Sequence, residues 1–340
     1  MRLPLCASLL LCLFATAPAS QTTSSPPSAA PLRLISTAWP PFTNEPGQPR
    51  FALDLVEAAL GRFGASAKTT IVEPARFTPA LLSNTYDGSG AAWKDAERER
   101  VLIFSQPYLE NRLILVGRKD EDVSASALGD LKGKRIAIVE GYAYGDDLDK
   151  SGAIFVKSRG EEDSLALVLQ NKADYVLMDD LVVQYIVNNY PNEAKTKLSI
   201  GTTPLVRRPL YFAVRRARPD AASIISQFNA QLRGMIADRT YHKLLHVPWI
   251  SADIDGDGRP EFVPESDRVG TSPPQHAYTL FLGDQPVLST PTPTESRSRF
   301  FFGGNIYTDW ASVPNRFKVE DPRQRPDPSR STASIFTFRW

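Results

Sequence analysis

Apolar and polar residues follow two alternating patterns between Leu32 and about Pro248. Short runs rich in β-branched and aromatic residues are typical of buried strands. The runs predicted as strands are 33–37, 69–73, 112–117, 135–140, 153–157, 174–178, 197–201 and 210–214. Apolar residues at helical spacing lie between several of them, most clearly at 55–63 and 224–236. This alternation predicts an α/β protein with mixed, mainly parallel sheets and helices on both faces.

The alternation restarts once inside this region. Segment 128–134 (LGDLKGK) is a polar loop that precedes a new β-rich run. We therefore predict two lobes, the first formed by 32–118 and 209–248 and the second by the inserted residues 119–208. The runs near 113–117 and 210–214 would then cross between the lobes as a hinge. Ligands of open α/β sheets bind beyond the carboxyl ends of strands, so two facing lobes predict a ligand-binding cleft.

The helical pattern disappears after Trp249. Pro, Ser and Thr become frequent, and aromatic clusters such as FFFGGNIYTDW replace amphipathic helices. We predict that residues 251–340 form a C-terminal appendage, either a small β-rich module or a partly irregular segment.

The appendage begins with an acidic loop, DIDGDGRPE, which has carboxylates at every second position. Oxygen atoms spaced in this way in a tight loop converge on one point, as a Ca²⁺ ion requires. The predicted ligands are the carboxylates of Asp253, Asp255, Asp257 and Glu261 and the backbone carbonyl of Arg259. An EF-hand would need Glu where Pro264 stands, so we expect a calcium loop of another type. The alternative is an acidic linker without metal.

The N-terminus has the features of a secretory signal peptide over residues 1–19. Arg2 is followed by the apolar run 3–14, and Ala17-Pro18-Ala19 offers small residues for cleavage. The run is too short for a stable membrane anchor, so we expect Sec-type export to the periplasm, with an N-terminal anchor as the alternative. Residues 20–31, rich in Ser, Thr and Pro, are predicted to be a disordered tether.

The composition narrows the function classes. The 340 residues are 42% hydrophobic and 23% charged, with a net charge of +1, which indicates a soluble globular protein without a charge excess for nucleic acid or anionic membranes. Both cysteines, Cys6 and Cys12, lie in the predicted signal peptide. The mature chain would then offer no thiol for a disulfide, a nucleophile or a Cys-based zinc site. We expect a monomer without a membrane anchor.

Several motifs occur in the order and spacing of one known family. They are WPPF (39–42), FALDL (51–55), DAER (95–98) with LIFSQPY (102–108), DLKGKRI (130–136) and ADYVLMD (173–179). Together they resemble the family 3 extracellular solute-binding proteins, the periplasmic amino-acid-binding components of ABC importers, over about 32–248. The resemblance implies a two-lobed periplasmic-binding-protein fold of type II. It also implies a small-molecule solute between the lobes and an ABC permease as partner.

The resemblance also implies roles for individual residues. Arg98 matches the arginine that holds the ligand's α-carboxylate, a role that suits a planar, permanently charged guanidinium. Asp179 matches the aspartate that receives the α-ammonium, although Asp179-Asp180 at a strand end could instead cap the next helix. Trp39 and Phe42 would form an aromatic wall of the pocket, with packing inside the first lobe as the alternative.

Two segments depart from the family pattern. Residues 90–93 (GAAW) lack the Ser or Thr hydroxyls found there in the family, and Gly141-Tyr142-Ala143 replaces its Gly-Thr-Thr loop. We therefore expect Trp93 and Tyr142 to line a bulkier, more aromatic pocket, or the ligand to differ from a standard α-amino acid.

We expect a binding protein and not an enzyme, because no Ser-His-Asp order, HExxH pair or Walker loop occurs. Two alternatives stay open. One is a lyase on the same scaffold, similar to cyclohexadienyl dehydratases, for which Glu140 is the only candidate acid. The other is a periplasmic sensor or scaffold protein.

Overall fold

The structure is a computed structural model that describes residues 30–274, 277–280 and 298–319. The predicted signal peptide, the tether up to residue 29 and the rest of the appendage lie outside the described residues. Two groups of strands are present. Those of the main body are β1 (Leu32–Thr37), β2 (Ala67–Val72), β3 (Gly88–Trp93), β4 (Leu102–Phe104), β5 (Leu109–Arg118), β6 (Arg135–Val139), β7 (Ile154–Ser158), β8 (Tyr175–Asp179), β9 (Leu198–Ile200) and β10 (Val206–Arg215).

Helices lie between most of these strands. They are α1 (Phe51–Gly61), α2 (Pro74–Leu82), α3 (Ala96–Val101), α4 (Asp146–Asp149), α5 (Glu161–Leu169), α6 (Asp180–Asn189), α7 (Pro191–Lys197), α8 (Ala221–Ala237) and α9 (Thr240–Leu245), with a 3₁₀ turn at Leu128–Leu131. Each of the eight predicted strand runs overlaps an observed strand. The predicted helix at 55–63 corresponds to α1, which begins earlier, at Phe51.

One mixed sheet of ten strands runs through the main body, in the order β2-β1-β3-β10-β5-β8-β6-β7, with β4 on β10 and β9 on β5. In the first half β1 pairs in parallel with β2 and β3, and in the second half β6 pairs in parallel with β7 and β8. The predicted α/β class with mainly parallel strands in each half is confirmed.

The two halves of the sheet are joined by β5 and β10, which we call the hinge strands. They pair antiparallel from Leu109↔Leu210 to Leu113↔Val206. Beyond this overlap β10 continues along β3 and β4 of the first half, and β5 continues along β8 of the second half. The predicted crossover runs both lie within these strands.

The appendage forms a separate sheet in the order β13-β11-β12-β14-β15. Its strands are β11 (Trp249–Ala252), β12 (Glu261–Pro264), β13 (Tyr278–Thr279), β14 (Arg299–Phe302) and β15 (Asn305–Tyr307). Side chains along a strand alternate between the two faces of a sheet. Accordingly Val263 and Phe301 join the core of the main body, whereas Phe262, Phe300 and Phe302 form a second core. Of the two alternatives for the appendage, its described residues show the β-rich one.

The appendage packs against the hinge strands and helix α9. The Tyr278 hydroxyl donates to the Glu110 carbonyl over 3.0 Å, and the Arg112 guanidinium lies 5.4 Å from the Tyr278 ring centroid. On α9, His242 is fully buried and its Nε2 lies 2.9 Å from the Val263 carbonyl oxygen. Burial lowers the pKa of His242 to about 4, so the neutral imidazole donates this bond near neutral pH. No helix in the described ranges has the length and apolarity to cross a membrane.

Candidate functional site

The carboxyl ends of β1, β3 and β6 meet at a cleft between the two halves. Its cavity has a volume of about 30 Å³, enough for little more than a water molecule. It is lined by Ser36, Thr37, Trp39, Phe77, Ala91, Ala92, Trp93, Arg98, Tyr142, Ala143 and Leu210. Larger depressions of about 330 and 650 Å³ lie on the surface, beside Glu140 and beside the acidic loop. We place the site in the cleft because strand ends from both halves converge there.

Four of the six predicted ligand-binding residues line this cavity, namely Trp39, Trp93, Arg98 and Tyr142. Phe42 is fully buried behind Trp39, with 4.6 Å between the ring centroids. In this structure Phe42 packs inside the first lobe, which is the alternative to a place in the pocket wall. Asp179 is also absent from the lining.

Aromatic rings fill the cleft. Trp39, Trp93, Tyr142 and Tyr144 form a four-ring cluster, with centroid distances of 5.5 Å for Trp39–Trp93 and 5.8 Å for Trp39–Tyr142. Both tyrosines lie 5.6 Å from Trp93. The cluster joins rings from both halves, since the tryptophans follow or end β1 and β3 and the tyrosines follow β6. Tyr144 was not predicted, although it follows the Tyr142 loop directly.

The two halves touch each other at the cleft. The Thr37 and Tyr142 hydroxyls lie 3.4 Å apart, and the Thr78 hydroxyl donates to the Gly141 carbonyl over 3.4 Å. Gly141 has φ +83°, and a Cβ there would lie 3.2 Å from the Pro74 carbonyl oxygen. Glycine is thus favoured both by the left-handed backbone and by the close approach. The cleft is closed in this structure.

Arg98 lies at one side of the cavity, and its side chain is 96% buried. Its guanidinium donates from Nη1 to the Trp93 carbonyl and from Nη2 to the Thr78 hydroxyl, both over 2.8 Å. Asp95 lies 3.3 Å from its Nε and also caps α3 by accepting from the Arg98 backbone N–H. Burial lowers the pKa of Arg98, but an arginine keeps its charge in proteins. The site thus contains a buried cation.

A second arginine approaches the same ring cluster. Arg208, on β10, donates from Nη2 to the Lys94 carbonyl over 2.9 Å, and its Cζ lies 5.8 Å from the Trp93 ring centroid. Burial lowers the pKa of Arg208, and repulsion from Arg208 contributes to the lowered pKa of Arg98. Two guanidinium groups on the Trp93 side of the cleft favour an anionic group of a ligand there.

Asp179 is buried at the end of β8 and caps α6. Its carboxylate accepts from the backbone N–H of Leu181 over 2.8 Å and of Arg112 over 3.0 Å, and from the Asn111 amide over 3.1 Å. Burial, the largest influence, raises its pKa, and repulsion from Asp180 adds to the rise. The structure shows the capping alternative, and ligand contact by Asp179 stays a prediction.

Asp179 is connected to the cleft through one side chain. The Trp93 indole N–H donates to Asn111 Oδ1 over 2.7 Å, and Asn111 in turn donates to Asp179. Asn111 was not predicted. It lies on hinge strand β5 just before the predicted run 112–117, and its two partners come from distant segments.

Glu161, the first residue of α5, is the acid that the sequence reasoning missed. It is 8% exposed, and burial raises its pKa to about 8, an effect that the Trp39 indole N–H opposes. Burial raises the pKa values of Tyr142 and Tyr144, and the charge of Glu161 would add to the rise. Within the described residues Glu161 Oε2 and Trp39 Nε1 have no hydrogen-bond partner, so they face each other without forming a well-aligned bond. The rule that ligands bind at carboxyl ends of strands, applied to β7, could have identified Glu161.

Glu140 lies outside the cavity. Its side chain is 53% exposed and pairs with Lys157 over 3.1 Å at the surface. No described contact of Glu140 adds support for the lyase alternative.

In the acidic loop, Arg299 lies among the predicted calcium ligands. Its guanidinium donates to Asp255 and Asp257, both over 2.7 Å, and lies 2.9 Å from Glu261 Oε1 and 3.5 Å from the Arg259 carbonyl. Burial raises the pKa of Glu261 to about 7, and Arg299 opposes this. Asp253 accepts from the backbone N–H groups of Gly256 and Gly258. The calcium assignment stays a prediction, and Arg299 is a competitor that the sequence did not reveal.

The comparisons with known proteins agree with this architecture. The sequence profile of the bacterial extracellular solute-binding proteins, family 3, matches residues 33–251. ABC transporter arginine-binding protein 1 of Escherichia coli (strain K12) is 26% identical over 219 residues, which cover 62% of this chain and 86% of that protein. Virulence sensor protein BvgS of Bordetella bronchiseptica (strain ATCC BAA-588 / NCTC 13252 / RB50) is 34% identical over 112 residues, 32% of this chain and 9% of BvgS.

A solved structure of an ancestral arginine-binding protein bound to arginine has the same fold. It is 25% identical to this chain, with a TM-score of 0.54, and the match covers 64% of this chain and 98% of that one. The profile extends over more than half of the chain, and its limits coincide with the ten-stranded sheet and its helices. The chain therefore belongs to the bacterial extracellular solute-binding proteins of family 3.

Proposed function

We propose that the protein captures an amino acid or a related small polar compound in the cleft and delivers it unchanged to an ABC permease. It would act in the periplasm as an exported monomer. The observation that carries the proposal is the buried Arg98 guanidinium at the wall of a cleft that also presents Trp39 and Tyr142. A buried cation beside aromatic rings suits a carboxylate that is attached to an apolar body.

Solute entry requires the cleft to open. The cavity of about 30 Å³ is too small for any amino acid, and the rings of the four-ring cluster occupy the space between the halves. Motion about the hinge strands would separate Trp39 from Tyr142 and expose Arg98. A solute that binds both halves then shifts the equilibrium toward a closed, loaded form.

The Arg98 contacts indicate how a carboxylate would be held. The two Nη groups donate to one carbonyl and one hydroxyl, which are neutral acceptors, while the Asp95 carboxylate lies 3.3 Å from Nε. A carboxylate accepts two parallel N–H donors of a guanidinium and binds more strongly than neutral acceptors do. The names of the relatives, which refer to arginine, support an amino acid as the solute.

The proposal is tested with Arg98→Ala, using Arg100→Ala on the same helix as the control because Arg100 is exposed. A thermal-shift screen of amino acids, polyamines and aromatic acids identifies solutes that raise the melting temperature of the parent. We expect Arg98→Ala to lose this stabilisation for every carboxylate solute and Arg100→Ala to keep it. Equal stabilisation of parent and Arg98→Ala would show that the carboxylate site is wrong.

The alternatives predict different outcomes. Mass spectrometry of the co-purified and the incubated solute should return it unchanged, whereas a lyase would convert it. The likeness to a virulence sensor protein over 112 residues is the observation that favours a sensory role. A sensory role requires solute binding without transport, so loss of uptake on deletion of the protein would support the importer.

We also propose that the acidic loop binds Ca²⁺ when Arg299 is displaced. Oxygens of Asp253, Asp255 and Glu261 lie within 4.8 Å of one another, a separation that one Ca²⁺ ion can bridge. We expect Ca²⁺ to raise the melting temperature of Arg299→Gln more than that of the parent, because the guanidinium no longer competes. No effect of Ca²⁺ on either protein would leave Arg299 as the counter-charge of the loop.

A further inference from the structure

We propose that Glu161 forms a second subsite in the cleft, which binds a cationic side-chain group of the solute and selects solutes with a charged side chain over those with an uncharged one. This inference rests on the proposed function, since it names the chemistry of the same cleft. It differs from the assignment of the ammonium to Asp179 in both residue and location.

The geometry leaves the Glu161 carboxyl without a counter-charge. The side chain is more than nine-tenths buried, its Oε2 has no hydrogen-bond partner among the described residues, and none of the ion pairs there includes it. Its neighbours are the Trp39 indole N–H and the Tyr142 and Tyr144 rings. A buried carboxylate costs free energy unless it is paired with a positive charge. The described residues beside Glu161 provide no such charge, so a bound cationic group would be its partner.

Two residues beside Glu161 also line the cavity. They are Trp39, whose indole N–H acts on the Glu161 carboxyl, and Tyr142, and the two rings come from opposite halves of the sheet. A motion that separates these rings to admit a solute therefore also opens the space beside the acid. Glu161 thus becomes accessible in the same step in which the solute enters.

The aromatic surroundings suit a cation. Faces of Trp and Tyr rings attract ammonium and guanidinium groups, with a contribution of about 1 kcal/mol or more when the cation is desolvated. Arg98 and Arg208 lie on the Trp93 side of the four-ring cluster, whereas Glu161 lies by Trp39 and the tyrosines. The cleft therefore has an anion-binding end and a cation-binding end, which fits a solute with a carboxylate and a separate positive group.

The experiment compares L-arginine with L-citrulline, which has nearly the same shape but an uncharged side chain. Binding of each is measured by titration calorimetry to the parent, Glu161→Gln, Arg98→Ala and the control Glu140→Gln, whose carboxyl is exposed and pairs with Lys157. Lysine with norleucine serves as a second pair. Glu161→Gln should fold, because glutamine resembles the neutral acid that burial favours.

We expect the parent to prefer arginine over citrulline by about tenfold or more, and Glu161→Gln to lose that preference while it still binds citrulline. Glu140→Gln should behave as the parent. Arginine binding near neutral pH should also release close to one proton from the parent and none from Glu161→Gln, measured in buffers of different ionisation enthalpy.

The possible failures are distinguishable. If the parent binds citrulline or norleucine as tightly as the cationic amino acids, or binds neither cationic amino acid, the cation subsite is wrong while the carboxylate site stands. Unchanged arginine affinity in Glu161→Gln also refutes the subsite. Binding that Arg98→Ala does not weaken for any solute refutes the proposed function itself.

Discussion

Two buried acids stand at equivalent places in the second half of the sheet. Asp179 ends β8 directly before α6, and Glu161 begins α5 shortly after β7. Burial raises the pKa of both. Asp179 accepts hydrogen bonds from three N–H donors, whereas Glu161 Oε2 accepts none from the described residues. Asp179 therefore has hydrogen-bond partners within the folded chain, whereas the unpaired oxygen of Glu161 supports the proposed cation subsite.

The surroundings of the two acids explain the difference. Asp179 lies beside hinge strand β5, near Arg112 and the appendage residue Tyr278, where the backbone supplies donors. Glu161 lies beside Trp39 and the two tyrosines of the four-ring cluster. An acid that folding already satisfies has little to gain from a ligand, whereas an unsatisfied acid gains a partner on binding. Both acids lie at the carboxyl end of a strand, and they differ in the number of hydrogen-bond donors that the folded chain provides.

The substitution Asp179→Ala has the largest expected effect and tests the structural side of this comparison. The substitution removes the cap of α6 and leaves three buried N–H donors without an acceptor, so we expect a loss of roughly 4 kcal/mol in the free energy of unfolding. Urea unfolding with an unchanged m-value measures it. Asp163→Ala, at a partly exposed site in the first turn of α5, should lose less than about 0.5 kcal/mol. A parent-like midpoint for Asp179→Ala would refute the structural role.

The pH dependence of stability sharpens the comparison. Glu161 has a pKa of about 8 in the folded chain against an ordinary value of 4.5. The folded chain therefore holds this proton more tightly than the unfolded chain does. The stability that this gives is complete below about pH 4.5 and is lost as the pH rises toward 8. The parent should therefore lose about 1.4 kcal/mol per pH unit within this window relative to Glu161→Gln. The groups that face Glu161 are Trp39, Tyr142 and Tyr144, and neither tyrosine ionises in this range because burial raises both pKa values.

The measurement is urea unfolding of the two proteins at several pH values without added solute. Taking the difference between them removes the contributions of other groups, such as His242 and Glu261. A difference that stays constant from about pH 5 to pH 8 would show that Glu161 ionises as an ordinary exposed acid.

The smallest expected effect concerns the contact between the appendage and hinge strand β5, near Asp179. Tyr278→Phe removes the hydrogen bond to the Glu110 carbonyl on hinge strand β5, for which we expect a loss of about 1 kcal/mol in stability. Solute affinity should not change, because Tyr278 is outside the lining of the cleft. Tyr307→Phe, on the half-buried strand β15, is the control. A change in affinity for Tyr278→Phe alone would mean that the appendage acts on the hinge during closure.

Much of the architecture was predictable from local patterns. Each predicted strand run overlaps a strand, and four of the residues that the family resemblance implied, Trp39, Trp93, Arg98 and Tyr142, meet at one cavity. Arg299 was missed because nothing in the local sequence marks it. Glu161 follows a predicted strand, but its charged neighbours in the sequence are typical of solvated surface. The surroundings of both residues are made by residues from distant segments.

The sequence by itself determined the strand–helix order, the hinge runs and the end of the helical pattern after Trp249, because hydrophobic periodicity and residue type are local properties. Only the tertiary structure decided which acid is satisfied, which arginine occupies the acidic loop and which rings close over the cavity. Burial and hydrogen-bond partners depend on which segments the fold brings together, and those partners set the cost of each charge.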